Sequence, residues 1–150
     1  MAEQIKILVV NGPNLNMLGM REPETYGNMT LDAISEKCRV VCASHGFALE
    51  WMQSNSEGVL IDTIQAASNK FDWMIVNGAG LTHTSVALRD ALALFTGSVI
   101  EVHLSNIYAR EKFRHTSLIT AIAKGAVIGF GASSYTAAIA AIAEIQEESE

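Results

Sequence analysis

Five short apolar runs, with helical spacing in the stretches between them, constrain this chain more than any other feature. Lys6–Val10 (β1), Leu49–Gln53 (β2), Trp73–Val76 (β3), Val99–His103 (β4) and Ala126–Phe130 (β5) read as strands. After β1 and a long loop, Leu31, Ile34, Cys38 and Val41 recur at helical spacing to about His45, with Thr30 as a cap and Gly46 as a stop. Gly58–Asn69 and Ser85–Phe95 repeat the pattern, and Gly97 punctuates the second. Short helices are expected at Ala109–His115 and Thr120–Lys124. A last helix, rich in Ala and Ile, should start at a Ser133 or Ser134 cap and run to about Gln146, leaving a frayed acidic tail over 147–150.

Strands alternating with helices predict an α/β fold whose parallel sheet is covered on both faces. With right-handed crossovers, five strands take the flavodoxin-like order 2-1-3-4-5. A chain of 150 residues makes one domain by default and can bury its own core. It is too short for a (β/α)₈ barrel, which needs about 250 residues. Net charge is −6, which argues against nucleic acid or an anionic membrane surface as partner. No run reaches membrane-spanning length, and MAEQIKILVV lacks a signal-peptide layout, so the cytoplasm is the expected location. Charged residues are only 17%, which points to further surface buried between subunits.

Cys38, Cys42 and His45 fall on one helical face. A metal corner would need a fourth ligand, and Leu31, Ile34 and Val41 share or flank the stripe, so packed thiols are the better reading.

The polar chemistry collects at the strand ends. Asn11–Gly27, NGPNLNMLGMREPETYG, holds both prolines of the chain, and no helix or strand period fits it. A loop this long inside a domain is usually functional, and here it reads as an active-site loop with a lid. It supplies Asn14, Arg21 and Tyr26. After β3 comes NGAGLTHTS, with Asn77, His83 and a cap at Thr84 or Ser85; after β4 come Leu104, Ser105, Arg110 and Arg114. In this topology ligands sit beyond the carboxyl ends of the strands near the β1/β3 switch point, so the three clusters should converge on one crevice.

Each cluster has an ordinary alternative. Glu101 and His103 are two apart on a strand and share a face, where a carboxylate can orient an imidazole and keep it protonated as a general acid. Alone, the pair reads equally well as a satisfied core histidine. Arg110 and Arg114, one helical turn apart, form a cationic face suited to an anion, or simply a solvated face. The capped helix start after Asn77 can meet a carboxylate or phosphate, or be a plain strand–helix turn. Tyr26 could be a loop tyrosine packed on Pro23. As a base near neutrality it must ionise about 4 kcal/mol more easily than a free phenol of pKa ~10. One arginine does not supply that; Arg21 and Arg110 together, in a closed and water-poor site, can.

GPNLN at 12–16, REPETYG at 21–27, QSNSEG at 53–58, THTSVALRDAL at 82–92, and EVHLSN with AREKFRH over 101–115 resemble type II 3-dehydroquinate dehydratase from β1 to β5. Several blocks in the right order are more specific than any single short pattern. The resemblance implies a flavodoxin-like subunit, no metal, no organic cofactor, and a homododecamer built as a tetramer of trimers. It implies reversible dehydration of 3-dehydroquinate to 3-dehydroshikimate in the shikimate pathway, or the same reaction in quinate breakdown. Carried over by position, Tyr26 would take the C2 proton and Arg21 would close over the substrate, with Arg110 assisting. Asn14 would orient a water on the enolate oxygen, and His103, held by Glu101, would protonate the leaving hydroxyl. The amides of Leu104 and Ser105, with Asn77, would hold the substrate carboxylate. His83 and Arg114 would bind ring hydroxyls, and Asp90 would reach in from a neighbouring subunit. Departures from the family pattern stand at Gly78, Tyr108 and Thr116–Leu118, none of them in these roles.

A non-enzymatic module of the same fold fits less well. A phospho-receiver needs acidic residues at the end of β1, where Asn11 stands, and a flavin carrier needs a Ser/Thr-rich loop where GPNLN stands. An assembly protein that has lost activity would not be expected to keep Asn14, Arg21, Tyr26 and His103 together.

Overall fold

All five strands run parallel in one sheet, in the order β2-β1-β3-β4-β5. The chain is described here from a computed structural model over residues 3–20 and 29–149. The strands span Lys6–Asn11, Ala48–Gln53, Trp73–Asn77, Ser98–His103 and Gly125–Ile128. Among the described residues there are four α-helices: α1 (Leu31–Ser44), α2 (Glu57–Ala67), α3 (Val86–Leu94) and α4 (Ser133–Glu148).

The three central strands, β1, β3 and β4, are buried on both faces, and their residues alternate between two cores, while the edge strands β2 and β5 are partly exposed. Ile7 and Val9, with Trp73, Ile75, Ile100 and Val102, pack with α1 and α4 through Ile34, Cys38, Tyr135 and Ile139. Leu8, Val10, Met74, Val76 and Val99 face α2 and α3 through Leu60, Ile64, Leu88 and Leu92. This period of two along each strand accounts for the near-continuous apolar runs in the sequence. Cys38 and Cys42 lie in the first core, 0% and 1% exposed, while His45 stacks on Phe47 at 5.4 Å.

Three helix starts carry side-chain caps, those at Thr30 and Ser85 as expected and one at Ser56 that the sequence reading did not name. Thr30 accepts from Ala33 N–H at 3.1 Å, Ser56 from Val59 N–H at 3.3 Å, and Ser85 from Leu88 N–H at 2.8 Å. The start of α4 differs. Ala132 is its N-cap and offers no side chain, and both serines lie inside the helix. Ser134 is buried and accepts from Phe130 N–H at 3.0 Å, so its hydroxyl ties down the preceding loop rather than the helix start. The helix also extends through Glu148.

The segment 109–115 is not one helix. Two short 3₁₀ turns, Ile107–Ala109 and Lys112–His115, flank Arg110, whose backbone is extended at φ −108°, ψ −164°. Ala109 N–H is taken by Asn106 O at 3.0 Å, and His115 Nε2 donates to Arg110 O at 3.1 Å. Local capping and turn bonds thus divide the segment. The expected helix at 120–124 is a 3₁₀ turn, Thr120–Ile122. β5 stops at Ile128 because Gly129 turns to φ +96°, where an added Cβ would sit 3.2 Å from Asn106 Cβ.

Among the described residues no helix is long and apolar enough to cross a membrane.

Candidate active site

A cavity opens beyond the carboxyl ends of β1, β3 and β4. Pro13 and Asn14 line it from the first strand, Asn77, Gly80 and His83 from the third, and His103, Leu104 and Ser105 from the fourth; Arg110 and Arg114 complete the rim. Three clusters far apart in sequence therefore share one crevice, at the switch point the topology demands. Tyr26 and Arg21 lie outside the described residues. Asp90 stands exposed on α3, 3.8 Å from Arg89, and does not line this chain's cavity.

Two loops meet closely at the floor. Gly12 N–H donates to Asn77 O at 2.8 Å, and a Cβ on Gly12 would lie 2.6 Å from the Gly78 carbonyl oxygen. Only glycine permits that approach. Next to it Asn14 adopts φ 71°, and its N–H donates to Asn55 Oδ1 at 2.9 Å. Gln53 Nε2 donates to Gly12 O at 3.1 Å. The end of β2 thus props the loop that presents Asn14 to the cavity.

Glu101 and His103 form a buried pair. His103 Nε2 lies 2.6 Å from Glu101 Oε2, and the residues are 4% and 0% exposed. Ser117 Oγ donates to the same oxygen at 2.7 Å, and the Thr120 hydroxyl makes a short bond to the other. Burial pushes the carboxyl upward, but the hydrogen bonds from His103, Thr120 and Ser117 outweigh it and hold Glu101 below its ordinary value. A carboxylate can only accept, so Nε2 of His103 carries a proton toward it. Nδ1 is then the ring nitrogen left for a ligand.

His83 lies beside this pair, its ring stacked with that of His103 at 6.3 Å between centroids. His83 Nδ1 is 2.8 Å from the Thr116 carbonyl. Burial, the neighbouring His103 and Arg114 together hold His83 below its ordinary value, against the opposing pull of the Thr116 carbonyl and Glu101. The neutral ring therefore has its proton on Nδ1 and a lone pair on Nε2.

Arg110 Nη1 donates to Ser105 Oγ at 3.3 Å, and Arg114 Nε to Glu111 Oε1 at 3.0 Å. Both guanidiniums reach the cavity, though from two separate turns rather than from one helical face. The carbonyls of His103 and Leu104 accept from Gly129 and Gly131 N–H at 3.1 and 2.8 Å, which fixes the path of the β4 end. Among the described residues no group of three His, Cys, Asp or Glu side chains could hold a metal ion.

Sequence reasoning gave no supporting role to the groups that hold the site from behind: Asn11, Gln53, Asn55, Ser117, Thr120 and Tyr135. QSNSEG was legible as a polar block at the end of β2, but no spacing rule ties Tyr135 to the strand ends.

The site combines a carboxylate-held imidazole, a neutral histidine, amides and two guanidiniums in one crevice. That set suits proton transfer on an anionic, oxygen-rich small molecule. The class this defines is an α/β enzyme with acid–base groups at the sheet's switch point. The family model for dehydroquinase class II matches residues 5–143. A 3-dehydroquinate dehydratase of Idiomarina loihiensis is 52% identical over 142 residues, covering 94% of this chain and 93% of the relative. A catabolic 3-dehydroquinase of Penicillium rubens is 47% identical, covering 96% and 93%. The type II dehydroquinase structure from Butyrivibrio crossotus superposes with a TM-score of 0.89 at 43% identity, over 91% of this chain and 95% of that one. The chain belongs to the class II dehydroquinase family and is an enzyme of the hydro-lyase type.

Proposed function

We propose that the protein catalyses the reversible dehydration of 3-dehydroquinate to 3-dehydroshikimate by anti elimination through an enolate. The observation that carries this reading is the buried Glu101–His103 pair, 2.6 Å apart, opening on the cavity that Asn14, Asn77 and His83 also line. A proton α to a ketone is weakly acidic, so the elimination needs a base, a group to stabilise the enolate, and an acid for the departing hydroxyl. Tyr26, as phenolate, takes the C2 proton, and the electron pair moves onto the carbonyl oxygen. Arg21, with Arg110 assisting, keeps Tyr26 ionised. Asn14 orients a water on the enolate oxygen. As the enolate collapses, the C1–O bond breaks and His103, oriented by Glu101, protonates the leaving oxygen so that water departs. Leu104 and Ser105 amides, with Asn77, hold the carboxylate; His83 and Arg114 hold ring hydroxyls. The reaction as drawn calls on no metal or organic cofactor, since the base, the enolate stabiliser and the acid are all supplied by side chains or a water that one of them orients.

Asp90 completes the site of a neighbouring subunit in a homododecamer of four trimers. Its exposure on α3 and the low charged fraction of 17% support that role. The enzyme works in the cytoplasm, in the shikimate route to chorismate and the aromatic amino acids. The Penicillium relative's name favours a second reading, in which the same elimination serves quinate breakdown.

Purified protein with 3-dehydroquinate should generate the ultraviolet absorbance of a conjugated enoic acid, with or without a chelator. Tyr26→Phe and His103→Ala should each abolish turnover with the fold intact; normal turnover in either removes the role given to that residue.

A further inference from the structure

We infer that Tyr135 is a positioning residue for the substrate carboxylate, its buried hydroxyl setting the Asn77 amide so that an N–H, and not the amide oxygen, faces the cavity. The inference rests on the dehydratase reading for the identity of the anion.

Tyr135 sits in the first turn of α4, beneath the sheet, and is 0% exposed. Its hydroxyl donates to Asn11 Oδ1 at 2.6 Å and accepts from Asn77 Nδ2 at 3.0 Å. Asn11 and Asn77 are the last residues of β1 and β3 and are paired across the sheet. Their parity along the strands turns both side chains toward the α4 face, where the ring of Tyr135 packs on Trp51 at 5.4 Å. Asn11 Nδ2 in turn donates to Met52 O at 3.0 Å. The bonds therefore run in one direction, from Asn77 to Tyr135 to Asn11 to the β2 backbone.

A hydroxyl has one proton to give. Burial drives the Tyr135 phenol far above its ordinary value, so that proton stays, and it points at Asn11. Tyr135 can then only accept from Asn77, which places Nδ2 and excludes the flipped amide. The other end agrees: Asn77 Oδ1 accepts from Ala79 N–H at 3.1 Å, in a turn where Ala79 is held at φ 51°. One of the two Nδ2 protons is committed to Tyr135. The second is the only polar hydrogen of Asn77's side chain left for a ligand, and Asn77 lines the cavity. An amide rotated by half a turn would instead offer its oxygen to a carboxylate and repel it.

The test is Tyr135→Phe, which keeps the ring and removes one atom. Binding of the carboxylate persists through the reaction, so its loss should raise KM and spare kcat. We expect KM for 3-dehydroquinate to rise about tenfold, the worth of one hydrogen bond, with kcat changed less than about twofold. A purely structural role would instead lower the active fraction, reducing apparent kcat at constant KM. Tyr135→Phe combined with Asn77→Ala should be no worse in KM than Asn77→Ala alone; additive effects would overturn the inference. A second measurement needs no turnover. In ¹⁵N spectra of the wild-type protein, the Asn77 side-chain amide should show one slowly exchanging proton, and Tyr135→Phe should release it. A rapidly exchanging Asn77 amide in the wild type overturns the inference, whether or not the variant folds. Absence of turnover with a protected amide would strike the dehydratase reading alone.

Discussion

His83 Nδ1 donates to the Thr116 carbonyl at 2.8 Å, and this one bond decides which way the imidazole can serve a ligand. The remaining nitrogen accepts, which suits a substrate hydroxyl. Its pKa is held below the ordinary 6.5, first by burial and then by His103 and Arg114. The folded state thus binds this proton less readily than the unfolded chain does. The contribution to stability is complete above the unfolded value and is lost as pH falls from there through the lower folded value. His83→Gln should flatten the decline of the urea midpoint on that acid side, while raising KM severalfold. An unchanged pH dependence would detach His83 from it.

Glu101 should be the most sensitive polar position outside the reacting groups. Its carboxyl lies below the ordinary 4.5 despite full burial, so its stabilisation is present above that value and disappears as pH drops through the folded value. Glu101→Gln keeps the volume but removes the charge that orients His103, and kcat should fall by about 10²–10⁴-fold. Ser117→Ala removes a donor to Glu101 and the acceptor of the Ile119 and Thr120 N–H groups, bonded at 3.1 and 3.2 Å. Chemical denaturation should show a loss of about 1–3 kcal/mol.

Both thiols should be inert in the native protein. Burial first, and then the neighbouring Cys42, push Cys38 up to about 12; burial pushes Cys42 up to about 11. The thiolate is the reactive form, so a disulfide reagent should leave both unmodified until denaturant is added. Stoichiometric labelling without denaturant would show that α1 opens far more readily than its packing implies.

Gly12→Ala should damage stability and turnover together. Its Cβ would meet the Gly78 carbonyl oxygen, a backbone atom, at 2.6 Å, so neither loop can step aside cheaply. A cost of about 1–3 kcal/mol is expected, with kcat/KM reduced because Asn14 moves with the loop. Calorimetry and steady-state rates on the same preparation would check both effects.

Much of this architecture was legible because it is local. Short apolar runs, caps at Thr30 and Ser85, and polar clusters at three strand ends follow from neighbours within a few residues, and the topology does the rest. Helical spacing over 109–115 misled because Asn106 and Arg110 divert the backbone bonds that a helix would need. Ser134 looked like a cap but is bonded to Phe130 N–H. The support for the site was not legible at all: Tyr135 meets Asn11 and Asn77 at sequence separations of 124 and 58, and no periodicity reports a contact of that range.

The turn over 116–120 touches one histidine through a carbonyl and governs the other through two hydroxyls on Glu101. Surface connections ordinarily drift in length without penalty. This one is clamped at both ends to groups that must keep their spacing. A single inserted residue here would detune two rings at once, so the segment should resist indels as firmly as a strand.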